Sequence, residues 1–477
     1  MRMVAASVRE TPRSRAHHHP HDYTRGSLLR ALLRLAVPLL GGSFAMGVIF
    51  PIADLALLSR LGEAPMASVI MVNQTLWQVV MMMTMGVNFA TQAQIAQAVG
   101  AGEPQRAEHI GAQSLTLGWM IAVAVAVVGW FGAEKLFDLA APAESFVPYG
   151  GPYLRVLSLL SLGLTAGMTS RAILVGAGDT TTPLVAILVQ VVTSLLAEWI
   201  LIFGHLGFPP LGVTGAAIGV SLGQWAAMAV TLLALRRENA PVHLRVEKLR
   251  PDARALAAMV RMSWPAALQM IGMVASAFVF LRLAGAFGAA VQTAYSIGLR
   301  LAMILPGFSF PLATACATLV GQAVGAGDVA RARRAIRVGV LVHGSVMGAF
   351  ALALAVFREP ILRVLTTDPE VVRVGGTYLL YLSASFAMMG FNLVVLRAMQ
   401  GAGDFMMPMV ISLTSTFLLS IPLAHLLVAR TTLGPEGIWW GGVAGSIFTI
   451  VATAAWLATG RWAGRFARPR LDEAGHA

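Results

Sequence analysis

Two acidic side chains fall inside the apolar stretches of this 477-residue chain, and they are its first candidates for chemistry. Asp54 lies in FPIADLALLSRLG and Glu198 in SLLAEWILIFG. A carboxyl in low-dielectric surroundings holds a proton more firmly, and a nearby cation weakens that hold. One such group can alternate between a proton and another positive charge, which is the chemistry of antiport. Glu198 ends a row with Gln190 and Ser194 at i, i+4, i+8 spacing, which aligns all three on one helix face. That stripe is expected to face a cavity. The plainer reading of Asp54 is a residue at a helix end that reaches the headgroups or pairs with Arg60.

Uncharged polar residues recur in other apolar stretches. Asn73, Gln74, Asn88 and Gln92 fall in one, and Gln224, Gln269 and Asn392 in others. Each could be glue between helices. Asn73, Gln190, Gln224, Gln269 and Asn392, with Tyr295, are the candidates for a substrate cavity. Other chemistries find little support. The single cysteine, Cys316 in PLATACATLV, allows no intramolecular disulfide and no cysteine metal site. His17, His18, His19 and His21 sit in a basic tail that lacks the apolar core of a signal peptide. No metal site and no cofactor are expected. The GAG and GAGD elements match neither a P-loop nor a dinucleotide fingerprint, and read as helix-ending turns. Glu103, Arg106, Asp328 and Arg331, which follow them, are expected to cap short interfacial helices.

The elements that position the acids are membrane helices. Apolar residues make up 57% of the chain and charged residues only 12%, against roughly 25% in soluble domains. Runs of about 20 apolar residues are long enough to cross a bilayer. The pattern predicts twelve helices, near 33 to 58, 67 to 97, 111 to 133, 152 to 174, 183 to 204, 212 to 235, 258 to 282, 291 to 321, 335 to 357, 374 to 399, 409 to 429 and 437 to 460. At 1.5 Å per residue, Asp54 lies about 29 Å beyond Leu35 and Glu198 about 23 Å beyond Pro183. Both belong in the outer half of one lobe.

The net charge of +12 would suit nucleic acid if it formed one soluble face, but the cations sit between apolar runs. With both termini inside, 25 of the 34 Lys and Arg fall on the inner side and eight on the outer. Arg397 is counted with the inner segments, and Arg300 is intramembrane, either a counter-ion or a structural arginine. Short cytoplasmic loops carry such an excess, so both termini are expected in the cytoplasm.

An internal repeat organises the helices. QAVGAG occurs at 97 to 102 and 322 to 327, and GAGD at 176 to 179 and 401 to 404, both 225 residues apart. Ordered matches at one offset mark a duplication. The expected fold is an all-α polytopic membrane protein, with twelve transmembrane helices in two pseudo-symmetric six-helix lobes around a central cavity. A cytoplasmic basic tail at 1–31 precedes the N-terminal lobe at 32–235, a cytoplasmic linker at 236–257, the C-terminal lobe at 258–460 and a cytoplasmic tail at 461–477.

RLAVPLL with PIADLALLSRLG, QAVGAGEPQRA, RAILVGAGDTTTP, LLAEWILIFG with LGVTGAAIG, RMSWPAAL, AYSIGLRL, LVGQAVGAGDVARARRA and MQGAGDFMMP resemble the multidrug and toxic compound extrusion (MATE) transporters. The resemblance covers residues 30 to 460 in order. It implies an antiporter that exports cationic, often aromatic compounds against inward protons or sodium. Asp54 matches the family's first-helix carboxylate. The fifth-helix pattern, Asn followed four positions later by Asp, falls on Ser194 and Glu198, and a sixth-helix Thr falls on Val220. These departures remove ligand oxygens and favour protons. The acids that the norfloxacin-transporter branch carries in its second lobe fall on Met273 and Met389. The chain is therefore similar to the branch typified by the DNA-damage-inducible protein F, with coupling in the first lobe.

The expected activity is secondary antiport of organic cations and drugs out of the cytoplasm. It is coupled through Asp54, Glu198 and Ser194 to inward protons, with sodium as the alternative ion. Small organic cations and membrane lipids, not nucleic acid, are the expected partners, and a monomer in the bacterial inner (plasma) membrane the expected form. A lipid or lipid-linked oligosaccharide flippase would need a more basic cavity. A polytopic membrane enzyme would need clustered His, Asp or Glu at a membrane face.

Overall fold

The structure is a computed structural model that describes residues 23–74, 76–140, 147–237, 240–304 and 306–463. The tail histidines 17 to 21 lie outside the described residues. The described residues make twelve helical passes. In the first lobe these are α1 (Leu28–Leu61), α2 (Glu63–Gln74 and Leu76–Gly100), α3 (Pro104–Ala140), α4 (Val147–Leu159 and Leu162–Gly176), α5 (Thr181–Phe203) and α6 (Val213–Leu235). In the second they are α7 (Ala253–Gly285), α8 (Ala289–Ile304 and Pro306–Gly325), α9 (Val329–Val356), α10 (Pro369–Gly401), α11 (Met406–Arg430) and α12 (Glu436–Ala458).

Ten helices are long and apolar enough to cross a membrane, and α4, bent by 49° after Leu159, makes an eleventh. The other pass, α2, is richer in polar side chains because it faces protein rather than lipid: Asn88, Thr91, Gln92 and Gln97 are all buried. Its repeat mate α8 is equally central, with 78% of its apolar window buried. Side chains such as Phe131, Leu341 and Val451 stand exposed on the outer helices, as a lipid-facing belt requires.

Apart from α6, the helices begin earlier than the apolar pattern predicts, because their first turns continue them into the aqueous margin. No separate interfacial helices follow the GAG turns. Pro104 and Val329 open α3 and α9 directly, with Glu103 paired to Arg106 at 2.8 Å and Asp328 accepting from the Arg331 amide. The GAGD aspartates cap the helices that follow them. Asp179 accepts from the Thr181 and Thr182 amides, and Asp404 from the Met407 amide and the Trp456 indole. A short amphipathic helix, Arg358–Leu365, joins α9 to α10 and was not anticipated.

Both described chain ends lie on one side, the tail side, where Tyr23 and Trp462 share a hydrophobic cluster. The linker lies there too, pinned to the start of α3 by Lys248 on Glu108 (2.9 Å) and by Gln113 bonds to the Lys248 and Arg250 carbonyls. The lobes meet through α1 and α2 on one side and α7 and α8 on the other. At the centre the QAVG motifs cross each other. Gly100 lies on the Gln322 backbone and Gly325 on the Gln97 backbone, so closely that a Cβ at either would overlap it. The two contacts are reciprocal at the 225-residue offset, so the motif pairs with its own copy across a pseudo-twofold axis. Toward the far side the described outer parts of α1 and α2 make no substantial contact with α7 or α8. The lobes are joined at the tail side and part away from it.

Candidate functional site

Four elements of the first lobe converge on the acids. α1 is interrupted by a π-turn at Ala45–Ile49, and Pro51, which donates no backbone hydrogen bond, follows just before Asp54. α5 carries Glu198, which is 0% exposed. It is packed that deeply because Gly219 of α6 presents no side chain: a Cβ there would stand 2.6 Å from Glu198 Cγ. Gly223 does the same for Ser194, whose hydroxyl donates to the Val220 carbonyl at 3.3 Å. The glycines set the depth of both side chains.

The Asp54 and Glu198 carboxyls lie within electrostatic reach of each other. Both Glu198 oxygens are shut off from solvent and have no hydrogen-bond donor in bonding geometry. Asp54 is half-buried, and among the described residues no ion pair joins it to Arg60. Tyr153 of α4 stands within electrostatic reach of both acids, and its hydroxyl donates to Asn73 Oδ1 of α2 at 3.3 Å. A carboxyl shut away without donors, within electrostatic reach of a second one, calls for a positive species to neutralise it. Among the described residues no group of three or more His, Cys, Asp or Glu could hold a metal ion.

The remaining candidates are spread over both lobes. Gln190, Ser194 and Glu198 do share a buried face, but it points into the first lobe rather than into the seam. Gln190 accepts at 2.9 Å from Arg171 of α4. Gln224 is buried with Oε1 unpartnered. Gln269 is bonded to Ser412 and Gln400 within the second lobe. Asn392 donates to the Ser446 carbonyl within the second lobe. Tyr295 stacks with Tyr378 and Trp439, at centroid distances of 5.5 and 5.9 Å, beside a second-lobe cavity of about 130 Å³.

Two charges need correction. Arg300 is exposed and makes no hydrogen bond or ion pair among the described residues. Arg397, counted with the inner segments, is 3% exposed inside the bundle. Tyr153 was missed altogether. The repeat could have found it, since it is the mate of Tyr378 at the same 225-residue offset. In the second lobe Gly441 packs on Ala424, as Gly219 packs on Glu198, so no carboxyl occupies the equivalent place.

Comparison with known proteins agrees with this duplicated architecture. The MatE family model matches residues 40–200 and again 265–426, two segments whose starts are 225 residues apart. The chain belongs to the MatE family. MatE proteins are transporters rather than enzymes. A probable multidrug resistance protein NorM of Deinococcus radiodurans is 30% identical over 424 residues, covering 87% of this chain and 92% of the relative. Another of that name, from Thermotoga maritima, is 25% identical over 94% of this chain and 96% of its own length. Among solved structures, an outward-facing multidrug resistance MATE transporter superposes with a TM-score of 0.82 at 21% identity, over 92% of this chain and 97% of that one. This MatE chain is thus a multi-pass membrane transporter with two six-helix lobes.

Proposed function

We propose that the protein exports organic cations, driven by protons that bind at Asp54 and Glu198 in the first lobe. The observation that carries this reading is buried Glu198, whose oxygens have no donor, with half-buried Asp54 within electrostatic reach. A charged organic cation and a proton can each neutralise such a pair, and by reciprocal linkage each weakens the other's binding. Multidrug resistance relatives support a drug-like substrate. The close glycine packing beside Glu198 and Ser194 favours the proton, which needs no coordination shell, over sodium, which needs several oxygens. Protons taken up at the far side release the cation there, and deprotonation at the tail side restores the cation-binding state. The tail side is then the cytoplasm, as the excess of Lys and Arg there supports.

The test is transport by the purified chain in proteoliposomes. An imposed pH gradient should drive a fluorescent organic cation across the membrane, and Asp54→Asn or Glu198→Gln should abolish this while the protein remains folded. Unchanged pH-driven transport in either variant would remove that residue from the mechanism. Transport driven by a sodium gradient alone would overturn the choice of ion.

A further inference from the structure

Arg397 is a membrane-embedded charge that the acid site does not use. Its guanidinium lies over the Phe89 ring of the first lobe, 3.6 Å from the centroid, and no carboxylate among the described residues pairs with it. Nη1 donates to Gln400 Oε1 at 2.7 Å and Nη2 to Gln92 Oε1 at 2.8 Å, while Nε has no partner. An arginine can only donate, so both glutamines must turn their oxygens toward it. Their amide nitrogens then point away. Gln92 Nε2 donates to the Thr314 carbonyl (3.0 Å) and the Thr318 hydroxyl (2.9 Å), and Thr318 in turn to the Val175 carbonyl. Gln400 Nε2 donates to Gln269 Oε1 at 3.0 Å, and Gln269 Nε2 to Ser412 at 2.7 Å. One uncompensated cation thereby fixes the direction of the whole chain of amides. Gln92 belongs to the first lobe and every partner of its side chain to the second, so the network closes across the seam.

We infer that Arg397 is a positioning residue for transport, which, through Gln92, latches the tail-side half of the seam shut. A dry apolar seam would hold the lobes at least as well, but an arginine suits a contact that must break. When the lobes part, entering water solvates the guanidinium and both glutamines, so opening strands no charge in an apolar place. Nothing in this depends on which ion drives transport.

Spin labels at Gln105 and Ala330 test it. Both residues are exposed on the tail side, in opposite lobes, and Cys316→Ala removes the only native thiol. In lipid nanodiscs the unmodified network should give mainly the short, tail-closed distance. Arg397→Met should shift the ratio of closed to open by on the order of tenfold, the weight of one charge-assisted hydrogen bond. Gln92→Leu should shift it in the same direction, and the double variant no further than the larger single change, since both remove one contact. Arg397→Lys should restore part of the closed population, which a purely structural arginine would not predict. If Arg397→Met fails to fold, Gln92→Leu carries the test alone. An unchanged distance distribution in folded Gln92→Leu, or additive effects of the two changes, would overturn the latch.

Discussion

Gly219→Ala adds one methyl group where α6 presses on Glu198. The new Cβ would stand 2.6 Å from Glu198 Cγ, 2.7 Å from its backbone nitrogen and 2.9 Å from its Cα. Two of these atoms are backbone, so no rotamer change can clear them. Reaching ordinary contact at 3.4 Å requires α5 to retreat by about 0.8 Å. Overpacking of this kind costs about 1–3 kcal/mol. Replacing Gly by Ala inside a helix opposes that by up to about 1 kcal/mol, so the net loss is expected at about 0–2 kcal/mol. The sharper effect is functional, because the retreat of α5 shifts Glu198 relative to Asp54. Proton-driven export in proteoliposomes should fall roughly tenfold, the factor that corresponds to about 1.4 kcal/mol. Gly442→Ala is the matched control, a helical glycine with nothing within 4 Å of the added Cβ. It should leave both transport and thermal stability in detergent at least as high as the parent. If Gly219→Ala behaves like Gly442→Ala in both assays, glycine packing does not set the position of the acid.

The reciprocal crossing of α2 and α8 predicts that Gly100→Ala and Gly325→Ala, each directed at backbone of the opposite lobe, lower the unfolding temperature by similar amounts; a loss confined to one of them would contradict the pseudo-twofold contact. Asp252, outside the membrane, accepts from the Arg254 and Ala255 amides at the start of α7, and those bonds hold its carboxyl below the usual range. A depressed folded value means stability that is present above the ordinary carboxylate range and lost as pH falls through it. Amide exchange at the start of α7 should therefore quicken at acid pH, and Asp252→Asn, which keeps a cap, should flatten that acid limb; an identical acid limb in the variant would exclude the cap as its source.

Where a feature is local, the residues alone announce it. The spans follow from apolar run length, because a helix must satisfy its own backbone in lipid, and the duplication follows from QAVGAG and GAGD recurring at one spacing. Asp54 and Glu198 stand out because a carboxyl in an apolar run is costly wherever the chain goes. What depends on contact between distant segments was not legible. Nothing in a list of polar residues distinguishes Gln190, committed to Arg171, from Gln269, committed to Gln400. The QAVGAG motif reads as a turn, and only packing reveals that its glycines let two backbones cross. Arg397 sits four residues from a helix end, where charge counting assigns it to water; the fold buries it because α2 brings Gln92 over it from 305 residues away, with Phe89 alongside. Run length and spacing are properties of one segment, whereas depth, pairing and desolvation belong to whichever helix arrives alongside.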